Sequence, residues 1–466
     1  ISGCEFMTAL YDKLKKYNSV RMHMPGHKGN PLAAPYMNTD ASFDITEING
    51  FDNLHDAQGI LKESMEKAAE LWHSEKSFYL VNGSTCGILA GIGASVRRGD
   101  KIICARGCHM SVFHAVELFG LRPVFFAPPQ LPCCGAFASA NVAEIDKLIE
   151  KNPDASLIVL TSPTYEGVIS DIESICSAAH RRGIKVLADE AHGAHLDLSP
   201  HFTGGSVRAQ ADITVQSLHK TLPCPTQTAI LHINSERIDI ERLKHMLSVF
   251  ETSSPSYLFL SAADGFVRSF DMHKMERWSA AIDTFYKQLH TEKLLLPPIL
   301  FDNPLVYKHD KSKIPISTEN ADIDGDGLAQ LLRGKYNIET EMSCRTHCLA
   351  MTGYGDTEKS LSALAGALNE IDSNLHYEKK ADSSLHYTIP RLEMLPCDAL
   401  MHESEFISTA QCGGEICGEY VWAYPPGIPL LIPGERISPE IASDISGNPQ
   451  FCSTYGVSAE KIAVIR

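Results

Sequence analysis

Positive charge is short in this chain, tryptophan is nearly absent, and no long apolar run occurs. There are 41 lysines and arginines against 57 aspartates and glutamates, a formal net charge of -16. That deficit argues against a nucleic-acid partner, which would favour a basic patch. It is compatible with cationic substrates, although net charge locates no pocket. No apolar run approaches the roughly 18 residues needed to span a bilayer, so no membrane partner is expected. Internal repeats and low-complexity tracts are also missing. Cysteine, by contrast, is plentiful at 14 residues. The pairs Cys104/Cys108, Cys344/Cys348 and Cys412/Cys417 lack the repeated C-x2-C spacing of a zinc site, so no metal is expected. With no apolar signal segment, the cysteines read as mostly buried, reduced thiols of a cytoplasmic protein.

The 466 residues suit two or three domains. From residue 78 to about 270, apolar strand-like runs alternate with helical patterns. Strands are expected at 78–81, 101–104, 122–126, 156–160, 184–188, 212–216 and 228–233. Helices are expected at 86–97, 109–119, 141–151 and 171–182. Such alternation argues for an α/β fold with a mainly parallel, covered sheet. Sites in these sheets lie at the carboxyl ends of strands. Residues 236–292 read as amphipathic helix, with Trp278 and Phe285 packing inward. Pro297-Pro298 marks a boundary. The expected organisation is an N-terminal arm at 1–45, a large domain at 46–295, a small α/β domain at 296–375 and a C-terminal domain at 376–466.

The stretch Ser217-Leu218-His219-Lys220 follows the apolar run 211–215. About thirty residues upstream stands Asp189-Glu190-Ala191-His192-Gly193-Ala194-His195. An acid ending one buried strand, and a Ser-x-His-Lys after the next, is what a pyridoxal phosphate (PLP) enzyme needs. The lysine amine forms an imine with the cofactor aldehyde, and the aspartate keeps the pyridine nitrogen protonated. Either motif alone is equally well read as a surface lysine or an acidic strand end; their order and spacing favour the cofactor. The turn Asn82-Gly83-Ser84-Thr85-Cys86-Gly87 opens a helix after a strand and offers N–H groups and hydroxyls to a phosphate. Such turns also serve as plain helix caps. His109, after the strand at 101–104, is suited to stack on a pyridine ring or to act as an ordinary cap.

With these segments in place, the chain resembles the Orn/Lys/Arg decarboxylase family of PLP enzymes, fold type I, in its short form. The resemblance rests on the turn at 82–87, the His109 segment, the 189–195 and 217–220 motifs, and further strings. These are residues 21–29 with Met24-Pro25-Gly26-His27-Lys28-Gly29, residues 44–55, Ser162-Pro163-Thr164-Tyr165-Glu166-Gly167, residues 252–257, and residues 424–435 ending in Pro433-Gly434-Glu435. The 24–29 and 424–435 strings are specific to this family within the PLP enzymes. The resemblance implies a PLP-dependent transferase-like fold and decarboxylation of arginine, lysine or ornithine, with arginine favoured. It implies catalytic roles for Lys220, Asp189, His109 and His219. Ser84, Thr85, Cys86, Ser217 and His219 would hold the phosphate, and His192 would lie near the ring. A homodimer with shared sites is implied, with Thr252, Ser254 and the arm contributing across the interface. The large relatives carry an N-terminal receiver-like wing that this chain lacks, so their ring assemblies are not carried over.

Two roles stay open at this level. The proton delivered to the substrate Cα comes from Lys220 or His219. The cationic end of the substrate needs an acid, for which Asp44, Glu47, Glu166 and Glu435 are candidates, with Asp52 also in a matching motif. Each is equally a turn, cap or salt-bridge residue. Two competing readings accompany the decarboxylase. An aminotransferase or β-eliminating lyase would use an arginine such as Arg345, Arg391 or Arg436 to clamp the α-carboxylate. A non-catalytic homologue has no need for Lys220, Asp189 and the phosphate turn together.

Overall fold

The computed structural model describes residues 10–16, 41–380, 388–423, 428–447, 457–458 and 460–466. The arm string at 21–29 and the 424–427 half of the C-terminal string lie outside the described residues. In chain order, the elements begin with α1 (Leu10–Lys16), α2 (Ile60–Trp72), β1 (Lys76–Leu80), α3 (Gly83–Ser95), β2 (Lys101–Ala105), α4 (Met110–Leu118) and β3 (Arg122–Phe126). Then follow α5 (Val142–Lys151), β4 (Ala155–Thr161), β5 (Val168–Ile169), α6 (Ile172–His180), β6 (Lys185–Asp189), β7 (Ile213–Ser217), α7 (Leu218–Thr221) and β8 (Ala229–Ile233). Next come α8 (Ile240–Phe250), α9 (Tyr257–Arg268), α10 (Met272–Gln288), α11 (Pro297–Leu300), β9 (Lys308–His309), β10 (Lys313–Ser317), α12 (Gly325–Tyr336), β11 (Met342–Ser343), β12 (His347–Met351) and α13 (Glu358–Asn374).

The chain forms two compact units. The first takes the described parts of 1–94 with 190–276 and 353–355; the second takes 95–189, 277–352 and the described parts of 356–466. In the first unit β8 pairs antiparallel with both β1 and β7. Leu80 and Ser217 both stand level with Ala229. The carboxyl ends of β1 and β7 therefore open on one edge, and the segments that follow them emerge side by side.

The second unit holds the parallel strands, in the order β6-β4-β2-β3. Asp189 at the end of β6 stands level with Thr161 at the end of β4. The predicted α/β class with a mainly parallel sheet is what the pairings give. The middles of β4 and β6, residues 157–160 and 186–188, are apolar and buried, because strands covered on both faces have no solvent side to spare for polar groups. Helix starts follow ordinary capping chemistry. Asn141 accepts the Ala143 and Glu144 N–H groups at α5, and Asp171 accepts that of Ser174 at α6. Trp278 and Phe285 are fully buried, and the Trp278 indole donates to Thr352 Oγ1 at 2.9 Å. The C-terminal segment has its own apolar cluster, including Cys412, Cys417, Val421, Leu431, Ile437 and Val464.

Candidate active site

In the first unit, the turn from β1 into α3 is shaped by two glycines. Gly83 has φ +75°, a left-handed value that glycine adopts without penalty. A Cβ on Gly87 would lie 2.5 Å from Leu80 Cδ1 and 2.9 Å from Val215 Cγ1, so only glycine lets α3 sit this close to β1 and β7. The start of α3 thereby presents free backbone N–H groups at the strand edge. Ser217 donates its hydroxyl to Ser84 Oγ at 3.0 Å, joining the two loops. Thr85 is exposed, whereas Cys86 is buried. The Cys86 thiol donates back to the Gly83 carbonyl at 3.0 Å, and burial pushes its pKa up. The expected phosphate contact of Cys86 is therefore corrected: its side chain is turned inward, and as the fourth residue of α3 it has its backbone N–H inside the first helical turn.

Ser217-Leu218-His219-Lys220 forms the join of β7 and α7. The Thr228 carbonyl accepts from Leu218 N at 3.1 Å and lies 2.9 Å from His219 Nδ1. A carbonyl only accepts, so His219 carries its proton on Nδ1. Burial, together with the nearby Lys220 charge, holds His219 below the ordinary histidine pKa. The ring is thus neutral near pH 7, with a bare Nε2. Lys220 Nζ lies 2.8 Å from His192 Nε2, and an ammonium only donates, so His192 accepts. His192 sits on the loop that begins at Glu190, whose N–H bonds to the Val215 carbonyl at 2.9 Å.

The Glu190 side chain, passed over in the sequence reading, is fully buried and is held by Gln216 Nε2 at 2.6 Å and by the Ser206 backbone N–H. Burial pushes its pKa up to about 8. A second buried acid, Glu251, accepts the Val81 N–H at 2.8 Å, immediately before the Asn82 turn. Burial raises its pKa from the ordinary 4.5 to about 7. The neutral form is the one the fold favours, so this contribution to stability is full below about pH 4.5 and is lost as pH rises through about 7. Glu251→Gln should remove that part of the decline, which urea unfolding across a pH series will show as a flatter profile than the wild type.

In the second unit, His109 follows β2 and caps α4. Its Nδ1 accepts the Ser111 N–H at 3.3 Å, so the capping role is real, and the side chain is half-buried. Asp189 is 3% exposed at the end of β6, and its carbonyl accepts from Ser162 N at 3.0 Å. Glu166 is half-buried, accepts from Thr164 Oγ1 at 3.1 Å, and its carbonyl lies 3.0 Å from His309 Nε2. The neighbouring Tyr165 hydroxyl donates to Glu341 at 2.7 Å.

Two of the acids weighed for the substrate are already committed. Glu435 is fully buried and takes both guanidinium nitrogens of Arg106, at 2.8 and 2.7 Å, plus the Ile432 N–H at 2.9 Å. It is corrected from a substrate carboxylate to a scaffold residue. Asp52 accepts the N–H groups of Gln58, Gly59 and Leu61 at the entry to α2; burial opposes its ionisation, but these donors hold its pKa below the ordinary value. Asp44 and Glu47 are half-buried, and Glu47 accepts from the Thr46 hydroxyl. Two of the arginines suited to an aminotransferase clamp are tied to Glu393: Arg436 at 2.8 Å and Arg391 at 3.5 Å.

The donor set suits PLP. In the first unit an amine rests on an imidazole and paired hydroxyls stand at a helix N-terminus suited to a phosphate; in the second a buried carboxylate ends a strand. The described residues hold no cluster of three or more histidine, cysteine or acidic groups placed for a metal ion. No described helix is long and apolar enough to cross a membrane.

Comparison with known proteins agrees with this reading. The family model "Orn/Lys/Arg decarboxylase, major domain" matches residues 6–293, and that for the C-terminal domain matches residues 379–446. An arginine decarboxylase of Halalkalibacterium halodurans is 32% identical over 91% of this chain and 89% of its own length. An arginine decarboxylase of Bacillus subtilis is 30% identical over 95% of this chain and 93% of its own length. Among solved structures, the Francisella novicida lysine decarboxylase superposes with a TM-score of 0.82 at 18% identity, covering 99% of this chain and 82% of that one. That likeness shows the fold, PLP-dependent fold type I.

Proposed function

We propose, since this chain belongs to the Orn/Lys/Arg decarboxylase family, that it removes the α-carboxyl group of a basic L-amino acid, arginine first, to leave the amine. The observation that carries the reading is the Lys220–His192 pair beside the Ser84–Ser217 hydroxyls on one strand edge. PLP, when bound, supplies an aldehyde for the substrate amine and a ring that takes up the electron pair left as CO2 departs. Lys220 would be the residue that holds the cofactor through its amine. The α3 N–H groups with Ser84, Thr85 and Ser217 take the phosphate. Asp189 would keep the pyridine nitrogen protonated, and His109 would be the ring-stacking residue. His219 holds no proton on Nε2, so Lys220 is the better donor to Cα. His192 then has a definite task, accepting from the Lys220 amine and fixing its direction.

Arginine is favoured because the relatives at about 30% identity are named arginine decarboxylases. A guanidinium also suits a bidentate carboxylate, for which Glu166, Asp44 and Glu47 remain the candidates. The aminotransferase reading is weakened by the pairing of Arg391 and Arg436 with Glu393. A homodimer with shared sites and a cytoplasmic location complete the proposal. Steady-state kinetics with CO2 and amine detection on arginine, lysine and ornithine test it. The highest kcat/KM should fall on arginine. A higher value for lysine or ornithine overturns the arginine preference, and ammonia or a keto acid without CO2 overturns the decarboxylase.

A further inference from the structure

The turn between β11 and β12 brings Cys344, Thr346 and His347 together. It is closed by Cys344 N donating to the His347 carbonyl at 2.9 Å. Its geometry is fixed from outside as well. A Cβ on Gly325, at the start of α12, would lie 2.2 Å from both the Cys344 and His347 carbonyl oxygens, so only glycine fits against this turn. Cys344 Sγ lies 3.3 Å from His347 Nδ1 and 3.3 Å from Thr346 Oγ1. His347 is 3% exposed, and its Nε2 is buried with no hydrogen-bond partner among the described residues. Cys344 itself is half-exposed. None of these groups has a task in the proposed decarboxylation.

From this arrangement we infer that Cys344 and His347 form a thiolate–imidazolium pair that makes Cys344 a site of modification by peroxides. The Sγ–Nδ1 contact lets the thiol proton pass directly to the ring, and Thr346 Oγ1 is placed to donate to the thiolate that results. Glu166 adds negative charge on the His347 side. Burial pushes the Cys344 thiol up, yet His347 and Thr346 hold it down to about 7. The surrounding thiols contrast with it. Cys348 is pushed up to about 12 by burial, and Cys134 is also raised by its hydrogen bond to Cys133 and by burial, whereas Cys133 is held below the ordinary thiol value by that same bond and is the competitor to compare.

In the reaction, the thiolate lone pair attacks one peroxide oxygen and the O–O bond breaks. The departing hydroxide takes the proton of His347 and leaves as water. Sulfur is oxidised by two electrons to the sulfenic acid, and the peroxide is reduced by two. The site stands independently of the catalytic proposal, because its readout is thiol chemistry.

The test is the pH dependence of iodoacetamide labelling on the full-length protein, followed peptide by peptide in the mass spectrometer. The Cys344 peptide should label with a midpoint near 7, ahead of Cys133, Cys224 and Cys397, the other part-exposed thiols among the described residues. In His347→Gln the midpoint should move towards about 8.5, the ordinary thiol value. Hydrogen peroxide followed by dimedone should tag Cys344 in the wild type. A wild-type midpoint near 8.5, or dimedone on other thiols with none on Cys344, overturns the inference whether or not His347→Gln folds.

Discussion

Replacing Lys220 by alanine should abolish turnover while leaving the fold intact. A positioned proton donor contributes about 10²–10⁴-fold, and the covalent role of the same amine adds to that. Residual activity should therefore fall below roughly one part in 10³ of the wild type. The fold should survive because Lys220 is only partly buried and its partner His192 stays held on its own loop. Circular dichroism and thermal melting against the wild type check the second half of the statement, and CO2 release checks the first. A Lys220→Ala protein with a tenth of normal activity would remove Lys220 from both of its roles.

The largest effect on stability is expected at Arg106 and Glu435. Both side chains are fully buried, the guanidinium meets the carboxylate through two nitrogens, and Arg106 also reaches the Leu430 carbonyl at 3.2 Å. The Phe125 and Phe113 rings lie 4.9 and 5.7 Å from the guanidinium carbon, leaving no water to take over from a lost partner. Removing one member strands the other as an unpaired buried charge, at a cost of about 3–5 kcal/mol. Glu435→Leu should therefore lower the unfolding free energy by about that amount. The double change Arg106→Met with Glu435→Leu should recover a large part of it, because two apolar groups leave no charge to strand. Urea unfolding of the four proteins gives the comparison. If Glu435→Leu unfolds like the wild type and instead raises KM for the basic amino acid, then the carboxylate does bind substrate and the scaffold role is wrong.

That pair also shows where sequence reading stops. Glu435 stands in a family string, and an acid there invites a substrate role. Its partner is 329 residues away, and no local pattern links the two. The same limit hid Glu190 and Glu251, whose meaning lies in burial and in donors from other segments. Strands were legible because apolar runs covered on both faces are continuous, and β2, β3, β4, β6, β7 and β8 fall within a residue of expectation. Strand direction was less so: β8 is as apolar as its neighbours yet runs antiparallel to β1 and β7, since direction depends on the connection rather than on side-chain type. Lys220 and Ser84 stood out as candidates because each opens a helix shortly after a strand, which the sequence pattern shows. Cys86 was misread because helix geometry, not residue type, decides which way a side chain near an N-terminus points.

The most direct test of the account is borohydride reduction of the PLP-loaded protein followed by peptide mapping. The account predicts a pyridoxyl group fixed on the peptide that contains Lys220, in about one equivalent per chain, and none on the Lys220→Ala protein. A pyridoxyl group on another lysine, or none on any, would contradict it.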